Sequence, residues 1–475
     1  MTSLSFLSAE IFVLGMACIV MLVDLFFPGE ERRNTFWLTM VSLIGALFIT
    51  TNMASIPELP ALYSGHFKHD AIATVLKVGL YISTAIALLY ARAYIAKRQF
   101  MRGEYYLLTL FALLGMMVLV SAYSMLTIYL GLEILSLALN AMVAMQRDSQ
   151  SAPEAAMKYF VMGALASGFL LFGISMLYGA TGSINIDVIA QMPHGESQAM
   201  LYRFALVFIV AGIAFKLGAV PFHMWIPDIY HGTPTSVVAF VGSAPKIAAF
   251  GMVTRLLTEA YPTQFAEDWR AMLSLLAIAS MAIGNIGAVM QTNLKRLLAY
   301  SAIAHMGYFL IGFAAGTNEG YAASMFYILI YALMTLGGFG MILFLSRAGF
   351  ESDELYDIKG LWHKSPWYAA IMLLVMMSMA GIPPFIGFWP KLQVFLAAIH
   401  SEMYWLAGAA AFFSVIGCYV YLKVVKVMFF DQSEDKTPIE ASTALRLAIS
   451  ANGLALLVLG LFPMGILAWC AKAFM

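Results

Sequence analysis

Long uninterrupted apolar runs follow one another along almost the whole of this 475-residue chain. A transmembrane helix needs about 20 consecutive apolar residues, and these runs do not alternate with polar residues as the strands of a membrane barrel do. Hydrophobic residues make up 62% of the chain and charged residues 11%, whereas about 25% of residues are charged in an average soluble domain. The pattern excludes a water-soluble enzyme and predicts an all-α polytopic membrane protein.

The remaining composition excludes several other functions. The 26 Lys and Arg residues balance the 26 Asp and Glu residues, so no basic face for nucleic acid is present. Cys18, Cys418 and Cys470 are far apart and form no C-x-x-C motif, so we expect neither a disulfide framework nor a thiolate metal site. No phosphate loop, Ser-His-Asp arrangement or metal-ligand spacing occurs, and we expect no metal and no cofactor-binding residue in this chain. No positive charge precedes Arg32, so the first run is expected to remain as a helix rather than act as a secretory signal.

The apolar runs predict about fourteen transmembrane helices, numbered here as spans 1 to 14. They lie near 7–27, 35–52, 70–92, 105–121, 123–145, 154–179, 202–227, 235–257, 271–291, 297–315, 320–346, 366–398, 403–426 and 444–470. The connecting segments are too short to form a soluble domain.

The basic residues are distributed unequally between alternate loops. Loops after odd-numbered spans, with the span ends that adjoin them, hold sixteen of them: Arg32, Arg33, Arg92, Lys97, Arg98, Arg102, Arg147, Lys295, Arg296, Arg347, Lys359, Lys364, Lys423, Lys426, Lys436 and Arg446. The other side holds five: Lys68, Arg203, Arg255, Arg270 and Lys472. Cytoplasmic loops of membrane proteins are enriched in Lys and Arg. We therefore expect the odd loops in the cytoplasm and both termini on the periplasmic side of a bacterial inner membrane.

Five lysines remain, and all of them fall within predicted spans: Lys77, Lys158, Lys216, Lys246 and Lys391. A charged residue within the hydrocarbon region costs about 3 kcal/mol or more, which makes each one a candidate functional residue. Lys77 is expected to extend to the nearer surface, and Glu10 and Asp24 are expected to be interfacial. For Lys158, a helix-surface ion pair with Glu154 is the alternative to a functional role.

An internal repeat interrupts two of the spans. The pattern G-x-x-P-F-x4-P occurs in span 7 and, 163 residues later, in span 12; its helix-breaking residues are Gly218, Pro221, Gly381, Pro383, Pro384 and Pro390. Because these spans are five apart, they cross the membrane in opposite directions. The sequence thus predicts inverted five-helix repeats of spans 4–8 (101–260) and 9–13 (261–430), with 1–100 holding spans 1–3 and 431–475 holding span 14.

The deep charged residues suit proton transfer. Burial favours the neutral form of lysine and a neighbouring carboxylate favours the charged form, whereas arginine cannot be deprotonated in a protein. Glu133 in span 5 is the carboxylate at comparable depth. His305 could pass a proton, although a structural histidine is equally consistent with the sequence. His223 and Asp228 flank the first break and are expected to bond freed backbone groups.

Four stretches resemble a known family. They are GLEILSL at 131–137, FKLGAVPFHMWIPDIYHGTPT at 215–235, QTNLKRLLAYSAIAHMGY at 291–308 and MAGIPPFIGFWPKL at 379–392. Together they resemble the antiporter-like membrane subunits of respiratory complex I, and lysine rather than glutamate at 391 resembles one particular subunit. Proline directly before Lys246 and Lys391 departs from the family pattern, and Pro245 is expected to bend span 8.

The resemblance implies a function and a set of site residues. Each such subunit moves protons across the membrane, driven by quinone reduction elsewhere in the complex. Glu133, Lys158, Lys216, Lys246 and Lys391 correspond to the family's relay residues. FMN, iron–sulfur clusters and quinone are expected in partner subunits, and the expected partners are neighbouring antiporter-like and small membrane-arm subunits together with membrane lipid.

Two other interpretations remain. A subunit of a multi-subunit cation/proton antiporter would carry similar Glu and Lys positions. A purely structural membrane scaffold is disfavoured, because it would gain nothing from deeply placed lysines.

Overall fold

The computed structural model describes residues 3–27, 32–54, 62–98, 102–146, 148–149, 151–191, 196–432 and 437–475. In these ranges the regular structure is helical, apart from isolated bridges between loop residues. Three of the basic loop positions counted above, Arg147, Lys436 and the side chain of Lys97, lie outside the described part of the chain.

The helices follow the predicted runs. Eleven spans have one principal helix each: span 1 Ser8–Phe26, span 2 Arg33–Met53, span 3 Ala71–Lys97, span 4 Gly103–Ser121, span 5 Met125–Val143, span 6 Ser151–Thr181, span 9 Ala266–Val289, span 10 Leu294–Ala315, span 11 Asn318–Leu345, span 13 Tyr404–Phe430 and span 14 Thr443–Leu461. Thirteen helices in the described residues are long and apolar enough to cross a membrane, and the divided span 12 is the fourteenth run. The prediction of about fourteen spans is confirmed, except that Pro463 separates span 14 from a short final helix, Met464–Lys472.

Polar side chains mark where several spans begin. The side-chain oxygen of each accepts a hydrogen bond from a backbone N–H of the first turn, which satisfies a donor that has no partner within the helix. These N-caps are Asp70, Ser124, Asn293, Thr317 and Ser442, before spans 3, 5, 10, 11 and 14.

Both repeats contain a broken helix. Span 7 consists of span 7a (Glu196–Leu217) and span 7b (Trp225–Gly232); span 12 consists of span 12a (Pro366–Ala380) and span 12b (Phe388–His400). Each first half ends at a glycine with positive φ, Gly218 at 74° and Gly381 at 80°, a conformation that L side chains adopt only with strain. The breaks predicted from Gly and Pro are therefore confirmed. Span 7a has 22 residues and begins at Glu196, whereas the predicted run begins near 202. The helix before the break is therefore longer than predicted.

Span 8 is also divided. Span 8a (Thr235–Val241) and span 8b (Ala244–Val253) are separated at Gly242 and Ser243, and a π-helical turn, Thr254–Glu259, follows. Pro245 lies in the first turn of span 8b, where its missing N–H leaves no bond unmade. The bend expected at Pro245 is confirmed as a full interruption of the helix.

The centre of the helical bundle consists of spans 3, 8, 10 and 11, which are mostly buried, while spans 1, 6, 13 and 14 are peripheral. Spans 4 and 5 pack closely through glycine, and so do spans 9 and 10. A Cβ atom at Gly131 would lie 2.8 Å from the Leu119 nitrogen, and one at Gly307 would lie 2.7 Å from the Ala277 oxygen. Close glycine-mediated packing therefore occurs between the corresponding pair of spans in each repeat.

Candidate functional site

Lys216 lies in the last turn of span 7a, two residues before the break. Its Nζ donates a hydrogen bond to the Ser136 hydroxyl of span 5 at 2.7 Å. Lys216, Ser136 and Glu133 line one partly open cleft between spans 5, 6 and 7a. One carboxylate oxygen of Glu133 is buried and has no hydrogen-bond partner among the described residues. The structure thus brings the predicted Glu–Lys pair to one cavity, with Ser136 as the direct partner of the lysine.

Lys246 in span 8b bonds the end of span 7a. Its Nζ donates to the backbone oxygens of Lys216 at 3.1 Å and Leu217 at 2.7 Å, and lies 5.0 Å from the centre of the Trp225 ring. The last carbonyl groups of a helix have no partner within the helix and lie at the negative end of its dipole. The buried ammonium group of Lys246 donates hydrogen bonds to two of these carbonyl groups, and its positive charge lies at the negative end of the helix dipole.

Lys391 occupies the corresponding position at the second break. Its Nζ donates to the oxygen of Ala380, the last residue of span 12a, at 2.8 Å and to the Ser414 hydroxyl at 3.3 Å. The ammonium group also lies 5.0 Å from the centre of the Tyr308 ring. Both breaks therefore have a lysine at the helix end, supplied by span 8 in one repeat and by span 12b itself in the other.

His305 is completely enclosed beside the second break. Its Nδ1 lies 2.7 Å from the Tyr327 hydroxyl and its Nε2 lies 3.1 Å from the Tyr421 hydroxyl. The Tyr421 hydroxyl is in turn 2.5 Å from that of Ser301, so the four side chains form one hydrogen-bonded chain. The ring of Tyr308, on which Lys391 lies, is 6.2 Å from the imidazole. Both the relay role and the structural role of His305 are compatible with this geometry.

Lys158 pairs with Asp228, in the first turn of span 7b just after the first break, rather than with the carbonyl groups that end span 7a. Its side chain is 43% exposed and its Nζ lies 2.9 Å from both Glu154 and Asp228. Asp228 also lies 3.7 Å from Arg296. The predicted pair with Glu154 is present, and exposed pairs of this kind contribute little to stability.

The expectation for Lys77 is wrong, whereas Glu10 lies in the first turn of span 1, near the end of the span as expected. Lys77 does not extend to the surface: its Nζ lies 2.5 Å from a Glu10 carboxylate oxygen, and both side chains are about 5% exposed. A buried ion pair is tolerated because each charge neutralises the other, whereas either one alone would be far more costly. The opposite charges in spans 1 and 3 were visible in the sequence, but nothing there indicated that these two spans pack together.

Two residues counted as loop residues are also buried. Arg255 is fully buried and binds Asp70 and Glu259, each at 2.7 Å. Burial alone would raise the pKa of Asp70, but Arg255, the N–H of Ala73 and Lys68 together hold that pKa below its ordinary value. Lys295 donates to the oxygen of Thr233 at 2.9 Å, at the end of span 7b. The spacing of Arg255 and Glu259 was the available sequence signal for the first cluster.

These features define the class of the protein. Two inverted sets of membrane helices, each with a broken helix whose end is bonded by a lysine, are the architecture of an antiporter-like membrane subunit. A sequence profile of the family described as NADH:quinone oxidoreductase/Mrp antiporter, TM, matches residues 122–417. Among the described residues, no group of three or more His, Cys, Asp or Glu side chains could hold a metal ion.

Comparison with individual proteins narrows this class. NADH-quinone oxidoreductase subunit N of Thiobacillus denitrificans is 54% identical over 465 residues, which cover 98% of this chain and 96% of that protein. Subunit N of Thioalkalivibrio sulfidiphilus is 51% identical over 456 residues, covering 96% and 95%. A chain of the solved respiratory complex I of Thermus thermophilus with bound aureothin is 30% identical, with a TM-score of 0.81 and coverage of 97% and 98%. The chain belongs to the NADH-quinone oxidoreductase subunit N family.

Proposed function

We propose that this chain is a proton-translocating subunit in the membrane arm of an NADH:quinone oxidoreductase of a bacterial inner membrane. In this proposal Glu133, Lys216, Lys246 and Lys391 hold and pass protons, and quinone reduction in other subunits supplies the free energy. The FMN, iron–sulfur clusters and quinone of such an assembly belong to partner subunits. The proposed domains are 1–100 with spans 1–3, the two inverted repeats 101–260 and 261–430, and 431–475 with span 14.

The observation that supports this function best is the position of a lysine at each helix break. A charged ammonium group interacts favourably with the negative end of a helix dipole, and a neutral amine loses that interaction. Protonation of Lys246 therefore changes how strongly span 7a is held at Lys216 and Leu217, which its Nζ contacts at 3.1 and 2.7 Å. Lysine is suited to this role because, unlike arginine, it can give up its proton.

The proposed orientation of the chain in the membrane rests on the basic loops. We propose that the odd-numbered loops face the cytoplasm and that both termini face the periplasm, since sixteen of the basic loop residues lie on the odd side. In this orientation Lys158, which is partly exposed and paired with Asp228, would lie near the cytoplasmic surface. The Tyr308 ring contacts both Lys391 and His305. His305 is in turn hydrogen-bonded to the buried hydroxyl groups of Tyr327 and Tyr421. Lys158 and His305 are secondary relay candidates in the proposal.

The test is proton translocation by the assembled complex with Lys216→Met in this chain. Purified complex in sealed vesicles is given NADH and a quinone, and proton uptake is measured together with NADH oxidation. The expected result is normal assembly with lowered proton translocation, because methionine retains the bulk of lysine but holds no proton. Unchanged translocation per NADH would overturn the relay role of Lys216.

The antiporter interpretation is tested by the same preparation. The family match includes Mrp antiporters, so a related exchange function is the second candidate. Purification through a tag on this chain should yield NADH–quinone reductase activity with many co-purifying subunits. A smaller assembly that lacks NADH oxidation and exchanges sodium for protons after reconstitution would favour the antiporter.

A further inference from the structure

The segment 347–365, which follows span 11, reaches from the second repeat to the first. The carboxylate of Glu351 lies 2.7 Å from Arg98 Nη2 and 2.8 Å from the hydroxyl of Tyr94, both at the end of span 3. The same carboxylate accepts a hydrogen bond from the hydroxyl of Thr235, the first residue of span 8a. Arg98 also donates to the Phe350 oxygen at 2.9 Å. Glu351 therefore joins span 3, the second repeat and the start of span 8.

Thr235 belongs to a short link between two interrupted helices. Thr233, Pro234 and Thr235 connect span 7b to span 8a, and both threonines are buried. Lys295, at the start of span 10, holds this link from a second direction, because its Nζ donates to the Thr233 oxygen at 2.9 Å. The link is thus fixed at one end by Lys295 and at the other by Glu351.

The segment that carries Glu351 is itself firmly attached. The backbone N–H of Leu355 donates to the Thr292 oxygen at 2.8 Å, and the side-chain amide of Asn293 donates to Asp353 and Glu354 at 3.0 Å each. These contacts anchor Glu351 to the start of span 10, so its carboxylate is a fixed reference point for the Thr233–Thr235 link.

The link leads directly to the first helix break. Span 7b contributes Trp225, whose ring lies 5.0 Å from Lys246 Nζ, and span 8a leads across Gly242 and Ser243 to span 8b, which carries Lys246. A shift of the link would therefore move the Trp225 ring, and with it the aromatic surface on which Lys246 lies, relative to span 7a. Displacements of about 1 Å are enough to impair a positioned reacting group severely.

We propose that Glu351 is a positioning residue for proton transfer at Lys246: it holds the Thr233–Thr235 link so that Lys246 stays on the carbonyl groups that end span 7a. The inference rests on the proposed function and deepens it. Glu351 does not exchange protons itself. Three donors, from Arg98, Tyr94 and Thr235, bind its carboxylate, and Lys295 and Asp353 are the other charged groups that face this cluster.

The test compares Glu351→Gln, Thr235→Val and the double variant in the assembled complex. Each single variant should lower the rate of NADH-driven proton translocation about tenfold, as expected when one charge-assisted hydrogen bond is removed. The double variant should lose no more than either single variant, because both changes release the same link. Additive losses would show that Glu351 does not act through Thr235 and would overturn the proposal.

The pH profile separates positioning from proton exchange. A positioning residue acts on Lys246 only through the link, so Glu351→Gln and Thr235→Val should change the pH profile of translocation in the same way. A displaced profile in Glu351→Gln alone would make Glu351 a proton-exchanging group and overturn its assigned role. Glu319→Gln is the control, because Glu319 is an exposed carboxylate at the other end of span 11 and should have no effect.

Two further comparisons allow the proposal to be decided even if Glu351→Gln fails to assemble or the proposed function itself is wrong. If Glu351→Gln prevents assembly, Thr235→Val decides alone, since it leaves the contacts of Glu351 with Arg98 and Tyr94 in place. Lys216→Met is measured in parallel. Normal translocation in Lys216→Met refutes the proposed function, whereas a loss there combined with normal translocation in Glu351→Gln and Thr235→Val refutes only this inference.

Discussion

Lys246 donates hydrogen bonds to the carbonyl groups of Lys216 and Leu217, the last two residues of span 7a. Two lysines that the sequence marks as separate charges in separate spans are therefore connected through the backbone of one of them. A change of charge on Lys246 acts on the helix end that carries Lys216, whose own side chain reaches Ser136 and the cleft lined by Glu133. The break in span 7 thereby connects the two positions.

Lys246→Met and Lys246→Arg separate helix-end bonding from proton exchange. Methionine leaves two carbonyl groups without their donor and should destabilise the subunit by about 1–3 kcal/mol, besides lowering proton translocation. Arginine keeps a charged donor but holds its proton permanently, so it should retain stability and still fail to translocate. Thermal unfolding of the purified complex and NADH-driven proton uptake measure the two effects. Full translocation by the arginine variant would exclude proton release from Lys246.

Glu133→Gln should lower proton translocation about 100-fold or more, which is the low end of the loss expected for a positioned acid–base group. Glutamine keeps the size of the side chain, and Glu133 lines an existing cleft, so assembly should be unaffected. Proton uptake per NADH oxidised is the measurement. Glu104→Gln serves as the matched control, because Glu104 is an exposed carboxylate in the first turn of span 4. Equal behaviour of the two variants would remove Glu133 from the relay.

Glu10→Leu and Lys77→Met should each destabilise the subunit by about 3–5 kcal/mol, because each leaves one buried charge without its partner. The double variant replaces both charges with apolar groups and should recover most of that loss. The measurements are the yield of assembled complex and its unfolding temperature. If the double variant is no more stable than the single ones, the pair is not the source of the effect. Glu104→Leu, at an exposed site, controls for the loss of one carboxylate.

Features that depend only on residues close together in the chain could be predicted from the sequence. The length of each apolar run gave the spans, and Gly218 and Gly381 marked the breaks, because only glycine adopts their backbone angles without strain. Contacts between distant spans could not be predicted in this way. The bond of Lys246 to the end of span 7a and the pairing of Glu10 with Lys77 depend on which helices are neighbours, which no local pattern specifies.

The same distinction applies to the residues near the helix ends. Lys295 and Arg255 lie where apolar runs begin or end, and charged residues at such places are usually solvated. Here Thr233 supplies a buried carbonyl group to one, and Asp70 with Glu259 supplies carboxylates to the other. Their burial follows from partners that are far away in the sequence.

Gly381→Ala tests the link between the second break and Lys391. Alanine would be strained by about 1–2 kcal/mol at a φ of 80°, and its Cβ would lie 2.7 Å from Lys391 Cδ. The lysine must then leave the Ala380 oxygen, so proton translocation should fall together with stability. Gly408→Ala is the control, because a Cβ there has no neighbour within 4 Å and span 13 is a regular helix at that point. It should be neutral or stabilising by about 0.5–1 kcal/mol. Reduced stability with normal translocation in Gly381→Ala would mean that the contact of Lys391 with the helix end is structural only.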